Sequence, residues 1–260
     1  MAQLPSHVGL NFTKTLHHDI HASIDPTKSD LSQPSKVVLI TGAGRGIGRS
    51  IALRYADSGV ACIFLCARTS SQLDEVEQAI KTINSDVKVR KLALDVTDEK
   101  QVMLAVEKVK EEGRLDILVN NAGGSSPWVP ISESEVDSYW KVWEVNLKGP
   151  YVMLHAFLPL LVDTAKNQTT QVDIVNVSSI GAHLSFPGAS AYQTSKFALL
   201  RLTEFVCAEY EKQGVNCISV HPGGVLTELT KNNKVIRASK SYFTKPIRDL
   251  ANDCRPGRYS

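Results

Sequence analysis

The chain has 260 residues, enough for one large α/β domain or two small ones. Hydrophobic residues make up 43% and charged residues 22%, values typical of a globular protein with a sizeable core. Because 29 basic residues are balanced by 27 acidic ones, the net charge of +2 argues against nucleic acid or an anionic membrane as the main partner. No stretch approaches the roughly 18 consecutive apolar residues of a membrane span.

The N-terminal stretch and the cysteines say little about chemistry. Residues 1–35 contain three prolines and no lasting periodicity, which predicts an extension, either flexible or laid over the surface, before a domain covering 36–260. His17, His18 and His21 have no cysteine or metal motif beside them, so we expect no metal site there. The five cysteines form no C-x-x-C pair, which favours reduced thiols in a cytoplasmic protein.

From Lys36 onward, apolar strands alternate with amphipathic helices. Strands are expected at 37–41, 61–66, 87–94, 117–120, 173–177 and 216–220. Helices are expected at 46–58, at 72–84, after Thr97 or Asp98 as N-cap, in a long region interrupted around Gly149–Pro150 and ending near 163, and at 190–213. This alternation predicts a doubly wound parallel sheet with helices on both faces, and ligands at the carboxyl ends of the strands.

The first strand leads into a glycine-rich turn and then a helix. Gly42, Gly46 and Gly48 would permit positive φ, close approach of a phosphate to the backbone, and tight packing of helix on strand. The free N–H groups of such a helix start can hold a pyrophosphate. Ile47 stands where the G-x-G-x-x-G pattern has its last glycine, so a tight turn without a ligand is the alternative.

Tyr192 and Lys196 are four residues apart on a predicted helix and therefore share a face. A phenol of ordinary pKa, about 10, is a poor proton-transfer group at neutral pH. A nearby ammonium favours the phenolate, and we expect Lys196 to lower the pKa of Tyr192 for that reason. The alternative is a surface Tyr and Lys one turn apart with no joint role.

These features occur with further motifs in a fixed order from the N- to the C-terminus: the loop Thr41–Gly48, N-N-A-G from Asn120 to Gly123, Asn146 in V-N-L-K-G, Ser178–Ser179, Tyr192 with Lys196, and Pro222–Gly223. Over about residues 36–227 the chain resembles the short-chain dehydrogenase/reductase family. It looks most like fungal members, many of which act in secondary metabolism. The resemblance implies a Rossmann-like fold and an NAD(P)-dependent oxidoreductase.

The resemblance also implies roles for individual residues. Tyr192 would exchange a proton with a carbonyl or alcohol oxygen, and Lys196 would bind the nicotinamide ribose. Ser179, chosen over Ser178 by its spacing from the tyrosine, would hydrogen-bond the substrate oxygen. Asn146 would hold a water that links Lys196 to solvent, although a structural amide is an equal alternative.

The end of the second predicted strand indicates the cofactor. Members of the family that prefer NAD carry Asp where this chain has Ala67, and Arg68 follows directly. With Arg45 in the glycine loop, two guanidinium groups could bind a 2′-phosphate, which favours NADP(H) over NAD(H). By resemblance, the remaining cofactor contacts would be the loop residues Gly42, Gly46, Ile47 and Gly48, then Asp95, Asn121, Ala122 and Gly123, and finally Pro222, Gly223, Val225 and Thr227. Asn120 is expected to be structural.

We therefore predict hydride transfer between NADP(H) and a ketone or secondary alcohol. Apolar side chains near the expected pocket favour a hydrophobic small molecule: Trp128, Leu184, Phe186 and Val225. The resemblance implies that the helix at 190–213 can pair with its mate in a homodimer. After Thr227 the family pattern weakens: 228–245 would be a shortened lid, 246–254 a short helix, and a full seventh strand is not expected. The alternative function is a cofactor-binding protein with little or no turnover.

Overall fold

A computed structural model of the chain describes residues 20–225 and 227–231. In this part, six parallel strands form one sheet in the order β3-β2-β1-β4-β5-β6. They are β1 Val37–Thr41, β2 Cys62–Ala67, β3 Lys88–Ala93, β4 Ile117–Asn120, β5 Val172–Val177 and β6 Val215–Val220. The doubly wound fold is confirmed, and each predicted strand is found with its ends displaced by no more than one residue.

Helices connect the strands. They are α1 Gly46–Asp57, α2 Ser70–Ile83, α3 Glu99–Lys110, α4 Val136–Trp143, a π-helix Glu144–Lys148, α5 Gly149–Gln168, α6 Ser190–Tyr210 and the short α7 Glu228–Lys231. The N-cap of α3 is Asp98, whose side chain accepts a hydrogen bond from the Gln101 N–H at 3.1 Å. Thr97 does not cap the helix but donates to the Asp95 carboxylate.

The predicted interruption at Gly149–Pro150 is wrong. The helical path runs unbroken from Val136 to Gln168, and its irregular part is the π-helix just before Gly149. Pro150 stands in the first turn of α5, directly after the widened π turn. A proline is tolerated in a first turn because its missing N–H would have few partners there.

This continuous path is long and apolar enough to cross a membrane, with a mean hydropathy of 1.3 in its most apolar window. However, 56% of that window is buried within the protein. Phe157 and Leu161 of α5 are fully buried in a core cluster with strand residues. The helix therefore has the burial of a core helix packed on a sheet.

Both faces of the sheet are covered, and successive strand residues face opposite sides. Val38 and Ile40 pack with the buried side chains of α1 and α2. Leu39, between them, packs with those of α3 and α5. Burial on both faces explains why β1 is a continuous apolar run rather than an alternating one.

The strand order creates a crevice. The chain moves outward from β1 to β3 and then returns to place β4 on the other side of β1. Loops after β1 and β4 therefore diverge at the carboxyl ends, where open α/β sheets bind ligands.

The described part of the N-terminal extension meets the domain at Gln33, whose N–H donates to the Ser58 carbonyl at 2.8 Å. Cys62, Cys66, Cys207 and Cys217 are free thiols. Residues 1–19, 226 and 232–260 lie outside the described part. Of the predicted lid at 228–245 only Glu228–Lys231 is described, as α7, and the predictions of a short helix at 246–254 and of no full seventh strand fall outside the described residues.

Candidate active site

A cleft with a volume of about 580 Å³ opens at the carboxyl edge of the sheet. Such a volume lies in the range of cofactor and small-molecule sites. It is lined by loops that follow all six strands. Of the residues predicted from sequence, the cleft brings together Gly42, Arg45, Gly46, Ile47, Arg68, Asp95, Asn121, Ala122, Gly123, Tyr192, Lys196, Pro222 and Thr227.

The glycine loop has the conformation that its sequence predicts. Gly42 and Gly46 have φ of +64° and +58°, in the region that favours glycine. A Cβ on Gly48 would lie 2.3 Å from the Gly42 carbonyl oxygen, so this residue allows close packing and does not itself line the cleft. Arg45 is the N-cap of α1, and its side chain makes no capping hydrogen bond. A cradle of backbone at an uncapped helix start fits a pyrophosphate.

Asn121 holds this loop in place. Its Nδ2 donates to the Thr41 carbonyl at 2.9 Å, and its backbone N–H donates to the Thr41 hydroxyl at 2.9 Å. Asn120 is buried instead, and its Nδ2 donates to the Asn176 Oδ1 at 2.9 Å. This arrangement supports the structural role expected for Asn120.

Arg45 and Arg68, the side chains expected to select the cofactor, both line the cleft, and Gly44 and Gln72 line it with them. A Cβ on Gly44 would lie 2.8 Å from the Gln72 Oε1, so the Gln72 side chain packs against the glycine loop. Sequence reasoning missed Gln72, although its place in the first turn of the helix after β2 could have indicated it.

Asp95 lines the same side of the cleft. Partial burial acts to raise the pKa of its carboxyl, but hydrogen bonds from Thr97 and the positive charges of Arg68 and Lys141 outweigh burial. The pKa of Asp95 therefore lies below its ordinary value, and the group is ionised at neutral pH.

Tyr192 lines the other end of the cleft, as does Ser178, whereas Ser179 is not among the lining residues. The Ser179 hydroxyl accepts the Gly181 N–H at 3.0 Å and acts on the Tyr192 phenol as a hydrogen-bond partner that lowers its pKa. Ser178 is buried, and its hydroxyl donates to the Lys196 carbonyl at 3.2 Å. Of the two candidate serines, Ser179 is thus the one whose hydroxyl reaches the phenol.

Lys196 is buried and lies on α6, the helix that also carries Tyr192. Its Nζ donates to the Val177 carbonyl at 2.7 Å and lies 6.0 Å from the centroid of the Tyr192 ring. Burial lowers the pKa of the Lys196 ammonium to about 8. Burial raises the pKa of the Tyr192 phenol, and the hydrogen bond from Ser179 offsets only part of that rise. The predicted lowering of the Tyr192 pKa by Lys196 is therefore not found, because both groups are desolvated and the ammonium is directed at a carbonyl.

Asn146 lies in the π-helix and is fully buried. Its Oδ1 accepts the Gly124 N–H at 2.7 Å, and its Nδ2 donates to the Gly124 carbonyl and the Ser195 hydroxyl, each at 3.0 Å. A Cβ on Gly123 would lie 3.4 Å from the Asn146 Oδ1 and 3.7 Å from the Lys196 Nζ. Asn146 therefore fastens the loop after β4 beside Lys196, and the water relay stays a prediction.

Three predicted cofactor residues are not among those that line the cleft: Gly48, Gly223 and Val225. Gly223 has φ of +84° and shapes the turn that follows Pro222. In the segments after β4 and β5, the rings of Trp128 and Phe186 stack with centroids 6.5 Å apart. Over residues 20–225 and 227–231, no three His, Cys, Asp or Glu side chains are grouped as a metal site would require.

Comparison with known proteins decides the family. The model of the short chain dehydrogenase family matches residues 36–236. The chain belongs to the short-chain dehydrogenase family. It is 45% identical to a short chain dehydrogenase of Monascus purpureus over 88% of this chain and 77% of the relative.

Solved structures of short-chain dehydrogenases agree on the fold. NAD⁺-bound xylitol dehydrogenase superposes with a TM-score of 0.67 at 30% identity, covering 74% of this chain and 71% of the other. A short chain dehydrogenase of Shigella flexneri complexed with NADP superposes with a TM-score of 0.69 at 26% identity, covering 77% of this chain and 82% of the other. The family makes this chain an oxidoreductase. The family binds nicotinamide cofactors, and solved structures with either cofactor share the fold of this chain.

The buried Lys196 generates a prediction about this dehydrogenase without cofactor. The pKa of the ammonium is about 8 when folded against an ordinary 10.5, so between these values the unfolded chain binds more protons. The free energy of unfolding should therefore rise with pH across this window. Lys196→Met should raise the free energy of unfolding at pH 7 by about 1 to 3 kcal/mol and make that free energy depend less on pH.

Chemical denaturation at several pH values measures both effects. Lys108→Met, the same change at an exposed position of α3, should shift the free energy of unfolding by less than about 0.5 kcal/mol. A Lys196→Met protein that is less stable at pH 7 would contradict this account of the buried amine.

Proposed function

We propose that the chain is an NADP(H)-dependent oxidoreductase that interconverts a ketone and a secondary alcohol of a hydrophobic small molecule. The observation that carries this proposal is that Tyr192 stands in the wall of the cleft that the glycine loop also lines, with its phenol hydrogen-bonded to Ser179. A proton donor and a dinucleotide cradle in one cleft are what carbonyl reduction requires.

The bound nicotinamide would supply or accept the hydride at the carbonyl carbon. Because burial raises the pKa of Tyr192, the phenol is protonated at neutral pH and is suited to give its proton to the oxygen of a ketone. Ser179 would hydrogen-bond the same oxygen and stabilise its developing charge. Alcohol oxidation needs the phenolate, so the same residues favour reduction at neutral pH and oxidation at higher pH.

Turnover distinguishes this proposal from its alternative. Binding of NADPH, followed by its fluorescence, is expected both of an enzyme and of a cofactor-binding protein without activity. Oxidation of NADPH in the presence of hydrophobic ketones is expected of the enzyme alone. Binding without turnover across a broad panel of ketones would favour the alternative.

Tyr192→Phe removes the proton donor and keeps the ring. Ketone reduction should fall by about 10²-fold or more, while the Kd for NADPH stays within about twofold of the wild-type value. Steady-state kinetics and fluorescence titration measure the two quantities. Tyr210→Phe, the same change at the end of α6, serves as the matched control. An active Tyr192→Phe protein would overturn the assignment.

The preference for NADP(H) rests on Arg45 and Arg68, which line the same cleft. Ala67 offers no carboxylate to the ribose hydroxyls, and two guanidinium groups can bind a 2′-phosphate by charge-assisted hydrogen bonds. Asp95 lies close enough to Arg68 for their charges to interact. A cofactor with the 2′-phosphate is therefore favoured over one without it.

Arg68→Ala should raise the Kd for NADPH by about 10- to 100-fold, the loss expected for a charged hydrogen-bonding partner. NADH lacks the 2′-phosphate and is the internal control, so its Kd should change little. Fluorescence titration of both cofactors against one protein preparation gives the ratio. An equal loss of affinity for NADH and NADPH would contradict selection by this arginine.

The stacked rings of Trp128 and Phe186, on the segments that follow β4 and β5, support an apolar substrate. Similarity to the short chain dehydrogenase of Monascus purpureus agrees with the resemblance to fungal members, from which the proposed place in secondary metabolism comes. The buried free thiols Cys62 and Cys66 support a cytoplasmic location.

We further infer a homodimer through the helix predicted at 190–213. A shallow apolar surface there is lined by side chains of α4, the π-helix, α5 and α6. Its aromatic side chains are more than half exposed: Trp140 57%, Tyr151 54% and Phe205 58%. A contiguous exposed patch of this kind is typical of an interface.

Phe205→Glu places a charge in the centre of this patch and should convert the dimer to a monomer in analytical ultracentrifugation. Leu104→Glu is the control, because Leu104 is 67% exposed on α3, away from the patch. A wild-type protein that is monomeric at micromolar concentration would refute the inferred dimer.

A further inference from the structure

We propose that Gln193 is a positioning residue: by fastening the segment after β5 to α6, it sets the hydrogen bond between Ser179 and Tyr192. This inference rests on the proposed function and assigns a role to a residue that the sequence motifs leave open. Gln193 follows Tyr192 directly on α6, yet its side chain faces the segment after β5 and is only 6% exposed.

The first contact is a hydrogen bond across the two elements. The Gln193 Oε1 accepts the backbone N–H of Phe186 at 2.9 Å. The bonds that shape the segment itself are local, since Ala182 N–H donates to the Ser179 carbonyl and Leu184 N–H to the Gly181 carbonyl. These local bonds fold the segment but do not join it to α6. The Ser178 hydroxyl joins the start of the segment to α6 through the Lys196 carbonyl, and the amide of Gln193 joins its later part.

The second contact lies beside the serine. A Cβ on Gly181 would be 3.5 Å from the Gln193 Cγ and 3.2 Å from the Ser179 Oγ, so both side chains pack on this glycine. The Gly181 N–H is the donor that fixes the Ser179 hydroxyl at 3.0 Å. The Gln193 side chain therefore lies beside Gly181, the residue that orients Ser179, and also accepts the hydrogen bond from the Phe186 N–H.

Phe186 extends the same linkage to the substrate side. Its ring stacks on Trp128, and the backbone of Trp128 lies 2.9 Å from where a Cβ on Gly188 would be. The segments after β4 and β5 thus form one packed unit whose connection to α6 includes Gln193. Displacement of this unit by even 1 Å would change both the substrate wall and the Ser179–Tyr192 geometry, a shift large enough to affect turnover.

Gln193→Met tests the role with a side chain of similar length that accepts no such hydrogen bond. We expect kcat/KM for ketone reduction to fall about 10-fold or more, with the Kd for NADPH unchanged within about twofold. Gln78→Met, the same change at an exposed site on α2, should leave both unchanged. If Gln193→Met does not fold, Gln193→Asn, whose amide is too short to reach Phe186, gives the same comparison.

The pH profile of alcohol oxidation separates positioning from a merely structural role. The hydrogen bond from Ser179 lowers the pKa of Tyr192. Weakening it should raise that pKa and move the rise of the oxidation rate to higher pH. Lys196 on α6 and His183 in the segment are ionisable groups of these two elements, and the substitution alters neither.

A double-mutant cycle with Ser179→Ala completes the test. If Gln193 acts through Ser179, Gln193→Met should cost much less in the Ser179→Ala background than in the wild type. If the losses of kcat/KM are additive and the pH profile does not move, the positioning role is wrong. The proposed function still holds in that case, provided that the wild-type protein is active. A wild-type protein without turnover would overturn the proposed function, and this inference with it.

Discussion

The contact between the Lys196 ammonium and the Val177 carbonyl constrains the whole site. It joins the end of β5 to the first turns of α6 through a buried bond of 2.7 Å, so the strand end and the helix cannot shift independently. Tyr192 lies one turn before Lys196, and Ser179 lies two residues after Val177, so the contact brings their side chains within hydrogen-bonding range. The cost of this arrangement is a desolvated cation, the kind of cost that functional sites tolerate and structural cores avoid.

A second set of buried polar groups keeps the strand ends fixed relative to one another. Asn120 at the end of β4 donates to Asn176 of β5, which donates to Thr203 of α6 at 2.9 Å. The Thr203 hydroxyl is in turn 2.8 Å from that of Ser219 on β6. Three strands and a helix thus share one hydrogen-bonded chain just below the cleft. The loops that contribute functional residues are built on this rigid edge, as catalytic geometry requires.

Most of the fold could be predicted because its signals are local. Apolar runs marked the strands, and the loop from Gly42 to Gly48 marked the turn into α1. What sequence reasoning could not supply depends on burial. The predicted fall in the pKa of Tyr192 considered the charge on Lys196 but not the desolvation of both groups. Gln193 was passed over because a polar residue on a helix indicates nothing until its facing segment is known, and Gly149–Pro150 predicted a break that a preceding π turn makes unnecessary.

The π-helix at Glu144–Lys148 has a consequence for how the chain tolerates changes in length. A π turn amounts to one additional residue in an α-helix, and each residue of an α-helix advances the direction of its side chain by roughly 100°. Because the π turn holds its additional residue within one widened turn, deleting a single residue here would restore regular winding and leave α4 and α5 close to their present relative rotation. Asn146, which lies inside the turn, would be displaced from Gly124, whereas Trp140 and Tyr151 on the flanking helices would keep their shared surface. The π turn therefore sets the interior amide, and the outer aromatic face tolerates a change of length that the interior does not.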